Sequence, residues 1–110
     1  MDIKIDIQDD LVVLRPVGEL TNNTALIFKK ERENLIKSGH ARFVLDMGDV
    51  KLLSSIGIRE ILSLFKESEA KGGGVRLFNL RPQVKDILKT TGLLQVFKLY
   101  TTMEEAKSSF

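Results

Sequence analysis

The chain has 110 residues, a hydrophobic fraction of 43%, a charged fraction of 29% and a formal net charge of +2, which suits one domain able to bury a core unaided. With no cysteine, disulfides, thiolate metal sites and cysteine nucleophiles are excluded, and the small, interleaved charge gives no footing for direct nucleic-acid binding. No apolar run approaches a membrane span, and residues 1–10 carry four acids and no signal-peptide core, so a cytoplasmic protein is expected.

Ile3, Ile5 and Ile7 alternate with Lys4, Asp6 and Gln8, the period of a half-buried strand. Asp9-Asp10 is the turn and Leu11–Val17 the next strand, close enough to form an antiparallel hairpin. Pro16 cannot donate to a ladder, so it is expected at a sheet edge or near a strand end. Gly18 to Asn23 is a polar connection. A helix is predicted from about Thr24 to Ser38, with Ala25, Leu26, Phe28, Leu35 and Ile36 as its apolar face. Lys29, Lys30, Glu31, Arg32 and Glu33 should lie mostly outside. Asn22, Asn23 or Thr24 can cap it, and Ser38-Gly39 ends it.

Phe43-Val44-Leu45 is continuously apolar, as in a central parallel strand buried on both faces. The chain then breaks at Gly48-Asp49. After Val50-Lys51-Leu52-Leu53 come two serines, followed by Ile58, Ile61, Leu62 and Phe65 at i, i+3, i+4 and i+7. That spacing predicts a helix from about Ser55 to Lys71. Ser54 and Ser55 therefore sit at its N-terminus, where serine oxygens accept orphan N–H groups. The same place tolerates negative charge, so a hydroxyl there can carry a phosphate without wrecking the fold. From spacing alone, the plain-cap reading of the two serines comes first, because capping serines are common.

Gly72-Gly73-Gly74 follows a helix and precedes a strand, with no Gly-Lys-Ser/Thr after it. It is a linker, not a phosphate loop. Val75 to Asn79 is a strand. Arg81-Pro82 opens a third helix with Val84, Ile87 and Leu88 on its buried face, and Thr91-Gly92 closes it. Leu93 to Phe97 turns into a last strand, Phe97 to Tyr100. Thr102 and Glu105 have the spacing of a capping box on a short terminal helix. The order β-β-α-β-α-β-α-β-α predicts an α/β fold: one mixed, mostly parallel sheet with an N-terminal antiparallel hairpin, packed with about four helices.

No catalytic constellation is visible, so no enzyme, metal or cofactor is expected. The one histidine, His40, follows Ser38-Gly39 in a loop and reads as a solvated residue. Leu53 stands where a nucleophile elbow around Ser55 needs its first glycine. Asp46 and Asp49 without histidine are a weak metal signal. What remains is a recognition edge. Loops beyond the carboxyl ends of the strands should gather Gly18–Thr24, Asp46–Ser55 and Asn79–Pro82. Thr21, Asn22, Asn23, Ser54 and Ser55 would make that edge neutral and polar. Of Val50, Leu52 and Leu53, at least two should pack inward, leaving the rest as an apolar anchor.

The run Asp49-Val50-Lys51-Leu52-Leu53-Ser54-Ser55-Ile56-Gly57-Ile58 resembles the signature of the STAS domain, in the branch of bacterial anti-sigma factor antagonists. That signature has an acidic residue, a few apolar positions, then Asp-Ser-Ser/Ala/Thr-Gly-Leu. Ser55 falls on its phosphorylatable serine, Gly57 on its glycine and Ile58 on its leucine. Gly18-Glu19-Leu20-Thr21-Asn22-Asn23-Thr24-Ala25 looks like the family's Gly-Glu-Leu-Asp-x-x-Thr-Ala segment. Two acids are lost: Ser54 replaces the Asp before the serine, and Thr21 the Asp after Gly-Glu-Leu.

The resemblance covers nearly the whole chain and implies one STAS domain over residues 1–110. It implies a non-enzymatic partner that binds an anti-sigma factor with serine-kinase activity and so releases a sigma factor. Phosphorylation of Ser55, with Ser54 as a minor site, would control binding, and a phosphatase would reverse it. Thr21, Asn22, Asn23, Asp49, Leu53, Ser54, Ser55 and Gly57 are the expected partner-binding residues, in a monomer or weak dimer. The alternative is a STAS-type module that is never phosphorylated and senses a small ligand or nucleotide, or serves as a scaffold.

Overall fold

The computed structural model describes residues 1–110 and gathers the strands into one six-stranded sheet. β1 (Asp2–Gln8) and β2 (Leu11–Leu20) form the expected antiparallel hairpin, with Gln8 opposite Leu11. β3 (Arg42–Asp46) runs parallel between β2 and β5 (Gly74–Phe78), and β6 (Lys98–Tyr100) closes the far side. The fully buried Phe43, Val44 and Leu45 thus occupy the central position that their unbroken apolar run implied.

Sequence reading missed one strand. Val50–Leu53 is β4, parallel to the last residues of β2. It resumes the course of β3 after the Met47-Gly48-Asp49 turn. Leu14 faces Leu45, Gly18 faces Val50 and Glu19 faces Leu52, so this side gains residues over β2 as a bulge does. Pro16 also departs from expectation. It lies inside β2, at neither a sheet edge nor a strand end, in the gap where β2 has left β3 and not yet met β4. No ladder bond is wanted there, so its missing N–H is tolerated.

Helices α1 (Ala25–Lys37), α2 (Ser55–Ala70) and α3 (Pro82–Thr90) cover one face of the sheet. Val12, Leu14, Phe43, Leu45, Val75 and Leu77 meet Phe28 and Ile36 of α1, Ile58, Ile61 and Leu64 of α2, and Val84 and Leu88 of α3. Each such side chain contributes about 1.5–3 kcal/mol by leaving water. The alternate residues Val13, Val44 and Phe78 point the other way, onto Ala106 of the short α4 (Met103–Ser108). Thr102 caps α4 by accepting from the Glu105 N–H at 3.1 Å, as its spacing predicted.

Helix α1 corrects two expectations. Leu26, placed on the apolar face, is exposed, as is Ile27. Arg32, grouped with the outward charges, is buried. It lies four residues after Phe28 and four before Ile36, on the packed face, and its guanidinium bonds Glu60 at 3.0 Å and also Glu67 of α2. These charge-assisted bonds satisfy two of its nitrogens across the α1–α2 seam, while Nε has no partner.

Candidate functional site

The carboxyl ends of β2, β4 and β5 come together as expected. The Ser54 N–H donates to the Leu20 carbonyl at 3.0 Å and the Gly18 N–H to the Asp49 carbonyl at 2.9 Å. Asn79 Nδ2 reaches Asp46 at 3.2 Å, and Arg81 Nε reaches the Gly48 carbonyl at 2.8 Å. Asp46 also accepts from the Gly48 N–H at 3.0 Å. The carboxylate and guanidinium are therefore spent holding loops together. No group of acidic and histidine side chains that could hold a metal forms anywhere in the chain.

At the entrance to α2, the two serines separate in role. Ser54 is the N-cap, with extended backbone, and its Oγ accepts from the Gly57 N–H at 3.2 Å. Ser55 is the first helical residue; it is exposed, and its hydroxyl has no partner within the chain. Gly57 lies beneath them, buried against β2. A Cβ there would stand 2.3 Å from the Leu20 carbonyl oxygen, so only glycine lets the helix start this close. Gly18, with φ +113°, makes the backbone excursion at the end of β2 that a side chain would resist.

The β2–α1 loop completes the edge. Thr24 is the α1 N-cap but makes no side-chain cap bond. Its Oγ1 instead donates to the Glu19 carbonyl at 2.6 Å and accepts from the Thr21 N–H at 2.9 Å. Thr21 is half-buried, while Asn22 and Asn23 are exposed. Asp49 is partly exposed and faces Arg15 at 3.7 Å, a pair worth little in solvent.

Leu53, expected among the partner-binding residues, is only 3% exposed and belongs to the core. Val50 is buried too, so two of the three apolar candidates pack inward, and Leu52, at 45% exposure, is the one that projects. Gly57 is buried as well, so its part is structural. Sequence reading missed Leu26 and Ile27 in the first turn of α1, directly after the polar loop. Their signal was available: with Phe28 and Leu35 facing inward, helical spacing turns Leu26 to the opposite side. The edge thus combines amide and hydroxyl groups with three exposed aliphatic side chains. That composition suits protein contact more than chemistry on a small substrate.

A family model described as the STAS domain matches residues 2–106. A Thermotoga maritima protein named as a candidate anti-sigma factor antagonist is 31% identical over 101 residues, spanning 91% of this chain and 89% of its own. A crystal structure of a T. maritima protein described in the same terms superposes with a TM-score of 0.91 at 29% identity, covering 97% of this chain and 92% of the other. The anti-sigma factor antagonist SpoIIAA shares the fold in its unphosphorylated form (TM-score 0.84, 23% identity, 98% of this chain and 95% of the other). The phosphorylated Bacillus form matches at a TM-score of 0.76 and 22% identity, over 98% of each chain.

Proposed function

Because the chain belongs to the STAS domain family, we propose that it is an anti-sigma factor antagonist whose grip on its partner is controlled by phosphorylation of Ser55. The observation that carries this is the division of labour at α2. Ser54 holds the helix entrance, which leaves the Ser55 hydroxyl free in solvent on an edge whose amide, hydroxyl and aliphatic groups lie beside the charged Glu19, Asp49 and Lys51. The protein is phosphoryl acceptor and binding partner, not enzyme, and a cytoplasmic setting fits a regulator of transcription. The partner is an anti-sigma factor with serine-kinase activity. Its ATP supplies the γ-phosphoryl group to Ser55 Oγ with release of ADP, and a phosphatase returns the hydroxyl by hydrolysis.

The physics is local. A phosphoserine brings about −1.5 to −2 charges and three acceptor oxygens. At the first turn of a 16-residue helix these meet the positive end of the macrodipole, so the fold tolerates them. In a contact the same dianion must lose water and repels acidic groups on the partner. Binding is thus switched at the interface without refolding. Ser54 is the poorer acceptor, because its oxygen is engaged by the Gly57 N–H. Loss of the family's two acids, at Thr21 and Ser54, leaves the acceptor in a less negative setting than the signature has.

The test is intact mass and phosphosite mapping on protein purified from its own cells. A species about 80 Da heavier, the mass of one phosphoryl group, that disappears in Ser55→Ala supports the switch. A protein unmodified under every growth condition, or modified only at Ser54, overturns it. The ligand-sensing alternative has one feature in its favour: a cleft of about 410 Å³ lined by Asn79, Lys85, Leu99, Tyr100, Thr101 and Glu105. Tight nucleotide binding without a protein partner would favour that reading.

A further inference from the structure

β1 ends the sheet, pairing with β2 and with no other strand. Seven residues of open edge invite another strand unless something protects them. The register shows which backbone groups are open. The Asp9-Asp10 turn closes on Gln8 and Leu11, and a two-residue hairpin loop closes on a hydrogen-bonded pair. By alternation Gln8, Asp6, Lys4 and Asp2 turn their N–H and C=O groups to β2, and Ile3, Ile5 and Ile7 turn theirs outward. These isoleucines share a face with Pro16, Leu14 and Val12, yet Ile5 is 38% and Ile7 52% exposed. Lys4 and Asp6, both exposed, lie on the other face.

We infer that β1 is a self-recognition strand: two copies of this chain join edge to edge, antiparallel, about a two-fold axis at Ile5. In that register Ile5 faces Ile5 and Ile3 faces Ile7 of the second copy, and their outward backbone groups meet as hydrogen-bonded pairs. Lys4 stands opposite Asp6 of the second copy, and Asp6 opposite its Lys4. Both are non-hydrogen-bonded pairs, where side chains come closest. Asp2 faces Gln8, so no like charges are opposed.

The neighbouring registers fail. An axis at Lys4 sets lysine against lysine and Asp2 against Asp6, and an axis at Asp6 sets aspartate against aspartate. An axis between residues pairs open backbone groups with ones already used by β2. Axes at Ile3 or Ile7 oppose no like charges within β1 but pair only three of its residues, so Ile5 is the axis that pairs all seven with the symmetry a two-fold contact requires. In the dimer the two β2 strands run in opposite directions. The two Ser55 edges therefore point to opposite ends and stay open, and dimerisation does not depend on the state of Ser55.

The test is sedimentation equilibrium on the full chain across a wide concentration range. The wild-type mass should rise from 12.4 kDa toward twice that value. Lys4→Asp and Asp6→Lys each oppose like charges twice and should weaken the dimer about tenfold or more. The double variant Lys4→Asp/Asp6→Lys restores opposite charges and should bring the affinity back to within about threefold of wild type. Ile5→Pro removes an outward N–H while sparing the β1–β2 ladder, so it should abolish the dimer with native circular dichroism intact. A wild type that stays at 12.4 kDa throughout overturns the proposal, since Lys4 and Asp6 would then only guard the edge. So does a dimer that the double variant fails to rescue, or that Ile5→Pro leaves unchanged.

Discussion

The entrances to α1 and α2 lie on one edge, yet they use their hydroxyls differently. At α1 the capping residue Thr24 turns away from the helix and ties the loop to Glu19 and Thr21. At α2 the cap Ser54 serves the helix, and the next hydroxyl, Ser55, serves nothing inside the chain. Beneath α2 the buried Gly57 seats the helix on β2; α1 has alanine and bulkier residues in its first turn, and Leu26 and Ile27 point to solvent. The comparison teaches that a hydroxyl can be free for modification where its neighbours already hold the helix start.

Five substitutions test this contrast. The largest effect on stability is expected at Gly57→Ala. Alanine gains about 1 kcal/mol in helix propensity, but its Cβ must push against the Leu20 backbone at 2.3 Å. Overpacking costs about 1–3 kcal/mol, and contact this close to a backbone oxygen belongs at the upper end, so a net loss of about 2 kcal/mol is expected from urea unfolding. Thr24→Val keeps the shape and deletes two hydrogen bonds, for about 1.5 kcal/mol; an unchanged midpoint would mean the loop does not depend on them. Ser54→Ala should cost about 1 kcal/mol as a lost N-cap and leave Ser55 modifiable.

The smallest stability effect is expected at Ser55, because its hydroxyl has no partner to lose. Ser55→Ala should shift stability by less than about 0.5 kcal/mol and abolish phosphorylation. Ser55→Asp should fold equally well and weaken binding of the anti-sigma partner, measured by calorimetry. If Ser55→Ala unfolds the chain and Ser54→Ala does not, the assigned roles of the two serines are exchanged.

Most of the architecture was legible because periodicity reports burial. The hairpin, the central Phe43–Leu45 strand, the helices and the two serines at the start of α2 all appeared where apolar spacing placed them. β4 did not, since Val50-Lys51-Leu52-Leu53 shows neither alternation nor an unbroken apolar run. It is a strand because β2 extends beyond β3 and offers it a ladder. Leu53 was misplaced for the same reason: without the strand, nothing said which of the adjacent leucines faced the core. Arg32 was legible in principle, standing on the inward face of α1, but its charge pointed outward until Glu60 and Glu67 appeared opposite it.

Local spacing and backbone preference are enough for the α/β order apart from β4, for most of the apolar faces and for the two hydroxyls at one helix start. Only the tertiary structure decided which serine is held and which is free, that Leu52 rather than Leu53 meets solvent, and that Gly57 seats α2 on the end of β2. Each of those outcomes depends on groups from strands far apart in sequence meeting within a few ångströms, and no pattern along one segment encodes such a meeting.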